Sequence, residues 1–320
     1  MTVLILTNVR KITYICLNNS SYLYMKKLFI FFTFCLLSVL SVMSQDMQQR
    51  AQSMLAMAVQ REAEGGSPDE FNALFEQAVQ FQPQDEAIYM IWGLIIARYA
   101  ERNDSTELLD SSLRKFEKAA ELNPENAQVY GSWGVCLSYY AFRTKGDSLY
   151  TASFDKFAKA IELNPKDKES FLNWGTTLLD RAKSKKDVDS FKECVGKYEE
   201  VLKLDPNSMP AWRDKGYAYL SIGRYEKNFP KYREQLEESY FRAEQLGSQS
   251  SAYNLACYYS LINEKDESFK WLEKSIIKDN SYSAKMLDFT RKKMDSDEDL
   301  NNIRRDKRYK KLLNKYLPEK

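Results

Sequence analysis

One spacing constrains this chain of 320 residues more than any other feature: Pro83, Pro124, Pro165 and Pro206 stand 41 residues apart. Gly93, Gly134, Gly175 and Gly216 keep the same step, as do Trp92, Trp133 and Trp174. The aromatic three residues before each Trp-Gly pair, or its equivalent, follows with Tyr89, Tyr130, Phe171 and Trp212. Ala100, Ala141 and Ala182 make a fifth column. A fixed period of this length marks a supersecondary unit that buries its apolar face only by stacking on its neighbours.

Each unit reads as two helices. The first carries the aromatic, the Trp-Gly pair and an apolar stripe. The second ends in FEKAAELNP (116–124), FAKAIELNP (157–165) or YEEVLKLDP (198–206), with apolar residues three and four apart. Eleven Gly and eight Pro are few for this length and favour a helical chain. Gly within a helix costs about 1 kcal/mol relative to Ala. Four of them in register therefore predict close approach of the paired helix, with Ala78, Ala119 and Ala160 as the small side chains expected to meet them. Proline closes each unit because it has no N–H and cannot continue a helix interior.

At these residues the chain resembles the tetratricopeptide repeat (TPR) family, whose order of aromatic, apolar, small residue, then aromatic, Ala and Pro it repeats. The resemblance implies an all-α fold, a right-handed α-solenoid of helix-turn-helix repeats. Two departures stand out. The family repeat has about 34 residues, so units ending at Pro124, Pro165 and Pro206 carry about seven more. The extra residues fall in the polar stretches ERNDSTE (101–107), RTKGDS (143–148) and KSKKDV (183–188), where longer helices and a longer turn would absorb them. Trp also stands where the family usually has Leu, and its recurrence at an intra-repeat packing position predicts a core role. About six repeats follow, at 52–83, 86–124, 127–165, 168–206, 209–248 and 249–282, within an array spanning 45–282. The first breaks at EGGSPD (64–69), and the last returns to the shorter length. The tail 283–320, with DEDL (297–300) before IRRDKRYKKLL (303–313), resembles the capping helix that ends such arrays.

The resemblance also implies that the first helices line a concave groove for an extended or helical segment of another protein. Its fifth position becomes Met90, Gly131, Leu172 and Arg213; the ninth becomes Leu94, Val135, Thr176 and Tyr217. One turn later the thirteenth gives Arg98, Tyr139, Asp180 and Ser221. The Lys and Asn with which co-chaperone members grip a C-terminal carboxylate are missing from the first two sets. What remains is a mixed groove, apolar and aromatic with isolated charges, suited to recognition by a few anchors.

Composition narrows the chemistry. The chain has no histidine, which excludes Ser-His-Asp and Cys-His nucleophile pairs, His-ligated metal and a near-neutral imidazole switch. No phosphate-cradling glycine loop occurs: Gly196-Lys197 lacks the upstream glycine, and there is no GxGxxG. DSDEDL (295–300) has Leu300 where a calcium loop turns on Gly and Asp306 where it needs Glu, so helix capping by Asp is the better reading. Past residue 44 the cysteines are Cys136, Cys194 and Cys257, on separate helices and at apolar or small-residue positions, which reads as buried thiols and not a disulfide framework. Adjacent acids such as Glu199-Glu200 or Glu237-Glu238 do not face one another on a helix. An enzyme using carboxylates therefore ranks behind a binding scaffold, and no catalytic residue, metal or cofactor is expected.

Lys26 and Lys27 precede an apolar run of 16 residues, Leu28 to Met43, with Val42 and Ser44 at −3 and −1 of a cleavage site before Gln45. This is the layout of a signal peptide over 25–44, shorter than the roughly 20 residues of a membrane span. Residues 1–24 then read as a gene-model extension. An uncleaved anchor, holding an assembly or chaperone-like factor at the membrane, is the alternative. Without residues 1–44 the chain has 43 basic against 45 acidic residues, the tail 283–320 being net +5 and 45–282 net −7. No broad basic face results, so nucleic acid is a poor partner, and membrane contact by the tail is possible but not required. The expectation is an exported scaffold of the periplasm or cell envelope that binds another protein in the assembly of an envelope complex.

Overall fold

In a computed structural model, residues 43–144, 146–279 and 291–317 are described. Most of the expected signal peptide (residues 25–42), the expected extension 1–24 and tail residues 283–290 and 318–320 lie outside them. Every regular element among the described residues is helical. These are α1 (43–63), α2 (Pro68–Phe81), α3 (Glu86–Asn103), α4 (Thr106–Leu122), α5 (Ala127–Thr144), α6 (Asp147–Leu163), α7 (Lys168–Lys185), α8 (Val188–Leu204), α9 (Met209–Tyr225), α10 (Phe229–Gln245), α11 (Gln249–Leu261) and α12 (Lys265–Asp279). In the tail follow α13 (291–296), a 3-10 turn (Glu298–Leu300), α14 (Asn301–Arg304) and α15 (Lys307–Tyr316). Among the described residues no helix is long and apolar enough to cross a membrane. The chain divides into two compact units within α3, after Ile95.

In the first unit, residues 64–67 (EGGS) form the turn between α1 and α2. Ser67 caps α2 in a reciprocal box: its backbone N–H donates to Glu70 Oε2 at 2.7 Å, and Pro68 follows at the first helical position. Phe71, Phe75 and Ala78 are buried along one face of α2. Phe75 stacks on Trp92 with ring centres 5.4 Å apart, while the Trp92 indole N–H donates to Asn72 Oδ1 at 2.6 Å.

In the second unit successive helices pair antiparallel, and local chemistry repeated at the 41-residue step sets their ends. Asn123, Asn164 and Asp205 terminate α4, α6 and α8, and their side chains accept from the amides of Glu125, Lys166 and Asn207 at 3.2–3.3 Å. These Asx turns carry the chain across each proline and launch the next first helix. Within a pair two residues connect the helices at Asp104-Ser105 and Lys186-Asp187, and three at 226–228 and 262–264. The longer turn expected from the extra residues is thus absent. The polar stretches belong mostly to helix ends, and the added length goes into first helices of 18 residues and second helices of 17. Such a tight turn needs a left-handed residue, and Asp104, Lys186, Lys227 and Asn263 supply it with φ between 53° and 61°.

The glycines do permit close approach, but their partners are aromatic rings and not the alanines. A Cβ on Gly134 would stand 2.7 Å from the Phe157 ring, on Gly175 2.7 Å from Tyr198, and on Gly216 2.8 Å from Tyr240. Each ring is fully buried and packs against the glycine of its paired helix. Ala119 and Ala160 are buried a turn further on. The tryptophans also depart from a uniform core. Trp92 is buried, whereas Trp133 and Trp174 are half-buried, each with a lysine ammonium over the indole: Lys156 at 3.5 Å and Lys197 at 3.4 Å from the ring centre. Burial lowers the pKa of both lysines.

The tail closes the C-terminal end. Leu300, Ile303, Tyr309, Leu313 and Leu317 join one buried cluster with Leu255, Tyr258 and Leu272 of α11 and α12. Arg291, itself buried, donates to the Leu317 carbonyl at 2.6 Å and ties α13 to the residue that follows α15.

Candidate interaction groove

The first helices of successive pairs pack on one another, α5 on α7, α7 on α9 and α9 on α11, as well as on their own second helices. They form a continuous inner layer of the second unit. Two hydrogen bonds tie second helices to it at equivalent points. Ser153 of α6 donates to the Gly134 carbonyl and Ser268 of α12 to the Ala256 carbonyl, both at 2.8 Å. Ala256 is therefore the α11 counterpart of Gly134, Gly175 and Gly216.

The residues expected to line a groove are placed unevenly. In the first unit Met90 is only 6% exposed and packs into the interior, which removes it from any binding surface, whereas Leu94 is 36% exposed. In the second unit Arg98 and Thr176 are exposed and Val135 is 38% exposed. Leu172, Asp180, Arg213, Tyr217 and Tyr139 are half-buried, and Ser221 is buried. Gly131 has no side chain to offer because one would not fit: a Cβ there would lie 2.8 Å from Ser170 Oγ. The Thr176 hydroxyl donates to its own helix at Leu172 O, 3.0 Å away, and Tyr139 OH to Glu101 O at 3.3 Å.

The polar members meet between α7 and α9. Arg213 grips Asp214 through Nε and Nη2 at 2.6 and 3.0 Å. Lys183 stands 3.5 Å from Asp180 and lays its ammonium 4.6 Å from the centre of the Tyr217 ring. Burial, reinforced by the charge of Asp214, raises the pKa of Asp180, while Lys183 opposes the rise.

Three residues that reach this layer were not among those expected: Phe142, Lys183 and Arg224. They stand 41 residues apart, one turn beyond the thirteenth position, so the period itself carries the signal. Phe142 is 57% exposed, the largest exposure of any bulky apolar side chain among the described residues. Helices longer than the family's extend the inner face by that turn.

Candidate chemistry elsewhere resolves into structure. Cys136, Cys194 and Cys257 are free and buried, and burial raises all three thiols, Cys136 to about 11 and Cys194 to about 12. Cys257, Asp297 and Asp299 bring ligand-type atoms within 4.8 Å of one another. Both carboxylates are engaged, Asp297 by the Tyr253 hydroxyl at 2.6 Å and Asp299 by the Arg224 guanidinium at 2.5 Å. Asp297 also accepts from the Asp299 amide at 3.0 Å and so caps the 3-10 turn.

No protein-family model matches the chain, and no curated protein does. Solved structures do. PilW, titled a widely conserved type IV pilus biogenesis factor, is 14% identical over 80% of this chain and 98% of its own, with a TM-score of 0.51. PilF of Pseudomonas aeruginosa is 13% identical over 77% of this chain and 99% of its own, also at 0.51. YrrB, titled a TPR protein with an unusual peptide-binding site, is 17% identical over 64% and 92%, at 0.41. At these identities the likeness is one of fold alone: the chain is an all-α solenoid of stacked helical repeats.

Proposed function

We propose that the protein is an interaction scaffold whose inner helix layer holds a segment of a partner protein, in an assembly of the cell envelope. The observation that carries this reading is the row of side chains left uncovered along that layer, Val135, Phe142 and Thr176 with Tyr217 and Arg213 beside them. Burying apolar surface at one such anchor is worth about 1.5–3 kcal/mol, a useful share of a peptide's affinity. The leader-like sequence over 25–44 and the pilus factor named among the fold neighbours support the envelope as its place of work.

The test is affinity capture by the intact chain from extracts of its own source. Changing Tyr217→Ala together with Arg213→Glu should abolish retention of the partner while the circular-dichroism spectrum stays helical, with a lowered melting temperature because Tyr217 packs on both hydrophobic clusters. Retention that survives both changes would remove the inner layer as the binding face.

A further inference from the structure

The chain already holds one segment of itself against the inner layer. The turn at Asp297–Asp299 sits where α9 meets α11: Arg224 donates to Asp299 at 2.5 Å, Tyr253 OH to Asp297 at 2.6 Å, and Cys257 Sγ lies 3.9 Å from Asp297. Asn302 then donates to the Ser260 carbonyl at 2.8 Å. Counted from Ala256, Tyr253 and Cys257 occupy the fifth and ninth positions of their helix, and Arg224 stands eight residues past Gly216. An acidic turn is thus seated on inner-layer positions by a cation from one first helix and polar groups from the next.

Moving back one pair gives the equivalent seat. Lys183 replaces Arg224, Arg213 replaces Tyr253 and Tyr217 replaces Cys257. Its three side chains are brought together, as the Lys183 ammonium over the Tyr217 ring shows. This seat carries two cations where the filled one has a single cation, and among the described residues no chain segment covers it. Each cation is steadied from its own helix, Arg213 by Asp214 and Lys183 by Asp180, with the Arg213 Nη1 group left outside the pair. A further step back gives Phe142, Leu172 and Thr176, an apolar seat.

Resting on the scaffold reading above, we infer that the Lys183–Arg213–Tyr217 seat takes an acidic segment of a partner protein, in the way the chain's own Asp297–Asp299 turn fills the seat one pair later. First helices pack about 8–10 Å apart and an extended chain advances about 3.3 Å per residue. The segment therefore places an apolar side chain about three residues from its acid, to reach Phe142 and Leu172. Charge-assisted hydrogen bonds to the acid set specificity and the apolar contact adds affinity.

The probe is the chain's own 293–304 sequence, KMDSDEDLNNIR, as a labelled soluble peptide; it has Met294 and Leu300 three residues on either side of Asp297. Its binding to the full chain is compared with peptides in which the four acids, Asp295, Asp297, Glu298 and Asp299, are all Asn or all Lys. The acidic peptide should bind, the Asn peptide about tenfold more weakly, and the Lys peptide not at all. The pair K183E with R213E should reverse the order and hold the Lys peptide. Equal binding of all three peptides, no binding of the acidic one, or a double variant that keeps it would each overturn the inference. Loss of the acidic peptide in R224E while K183E/R213E retains it would also overturn it, by showing exchange with the tail. Peptide kept by K183E/R213E but lost in V135E/F142E would sink the acidic seat and leave the inner layer as the binding face; peptide kept by both pairs would sink both readings.

Discussion

Glycine at the centre of a first helix is costly unless something fills the space a side chain would take. Here the filler is the ring of Phe157, Tyr198 or Tyr240, lying within 3 Å of where a Cβ would stand. Gly175→Ala should therefore destabilise the protein by about 1–2 kcal/mol, the overpacking penalty exceeding the helix-propensity gain of about 1 kcal/mol. Guanidinium unfolding reads this directly; a variant as stable as the parent would mean that the ring moves aside at no cost. The glycine column and the need for close approach were legible in the sequence. The identity of the filler was not, because the aromatic columns and the alanine columns have the same period and only geometry ranks them. Buried thiols give a second prediction. An unfolded thiol ionises near pH 9.0, whereas burial holds Cys136 to about 11 and Cys194 to about 12. Between those values the unfolded chain releases protons that the folded one keeps, so stability falls as pH rises through the window. Melting temperature measured from pH 8 to 11 should fall less steeply in C136A/C194A than in the parent.

At the scale of helices, the prolines and the FEKAAELNP-like endings marked where second helices stop, and the structure ends α4, α6 and α8 two residues before each proline, at Leu122, Leu163 and Leu204. The intra-pair turns were harder to read. Polar runs such as KSKKDV suggest loop, but Lys183 and Lys185 continue α7, and the reversal is completed in Lys186-Asp187. A left-handed residue there is not glycine, so nothing in the composition announces the turn. That choice has an energetic consequence. A non-glycine residue in the left-handed region is disfavoured by roughly 1–2 kcal/mol, part of which glycine recovers after its larger entropy loss. Lys227→Gly, at an exposed turn with φ of 53°, should stabilise the protein by about 0.5–1 kcal/mol and raise its melting temperature by a few degrees. A lowered melting temperature would show that Lys227 contributes contacts that outweigh its backbone strain.

Across the whole chain, the 41-residue step does two things at once. It sets the pairing of helices, and because each first helix is longer than the family's, it adds one more turn of inner face. That turn carries Phe142, Lys183 and Arg224, which a family template of shorter repeats does not reach. Of the residues expected to line the face, Val135 and Thr176 are exposed, while Met90 is drawn inside and Gly131 is held bare by Ser170. Those two placements depend on how neighbouring helices meet, which no repeat pattern states. The tail was legible as a helix, but its acidic turn on the inner layer was not, since Asp297 and Asp299 gain their partners from helices 40 to 75 residues away. The central claim, that partners are bound by the inner layer and not by the outer helices, is tested most directly by site-specific photocrosslinking in the native host. A photoreactive residue at Val135 or Thr176 on first helices, or at Glu121 or Glu162 on second helices, reports what lies within reach of each exposed position. The account predicts a discrete partner adduct at the first two and none at the last two. Adducts confined to Glu121 and Glu162 would contradict it.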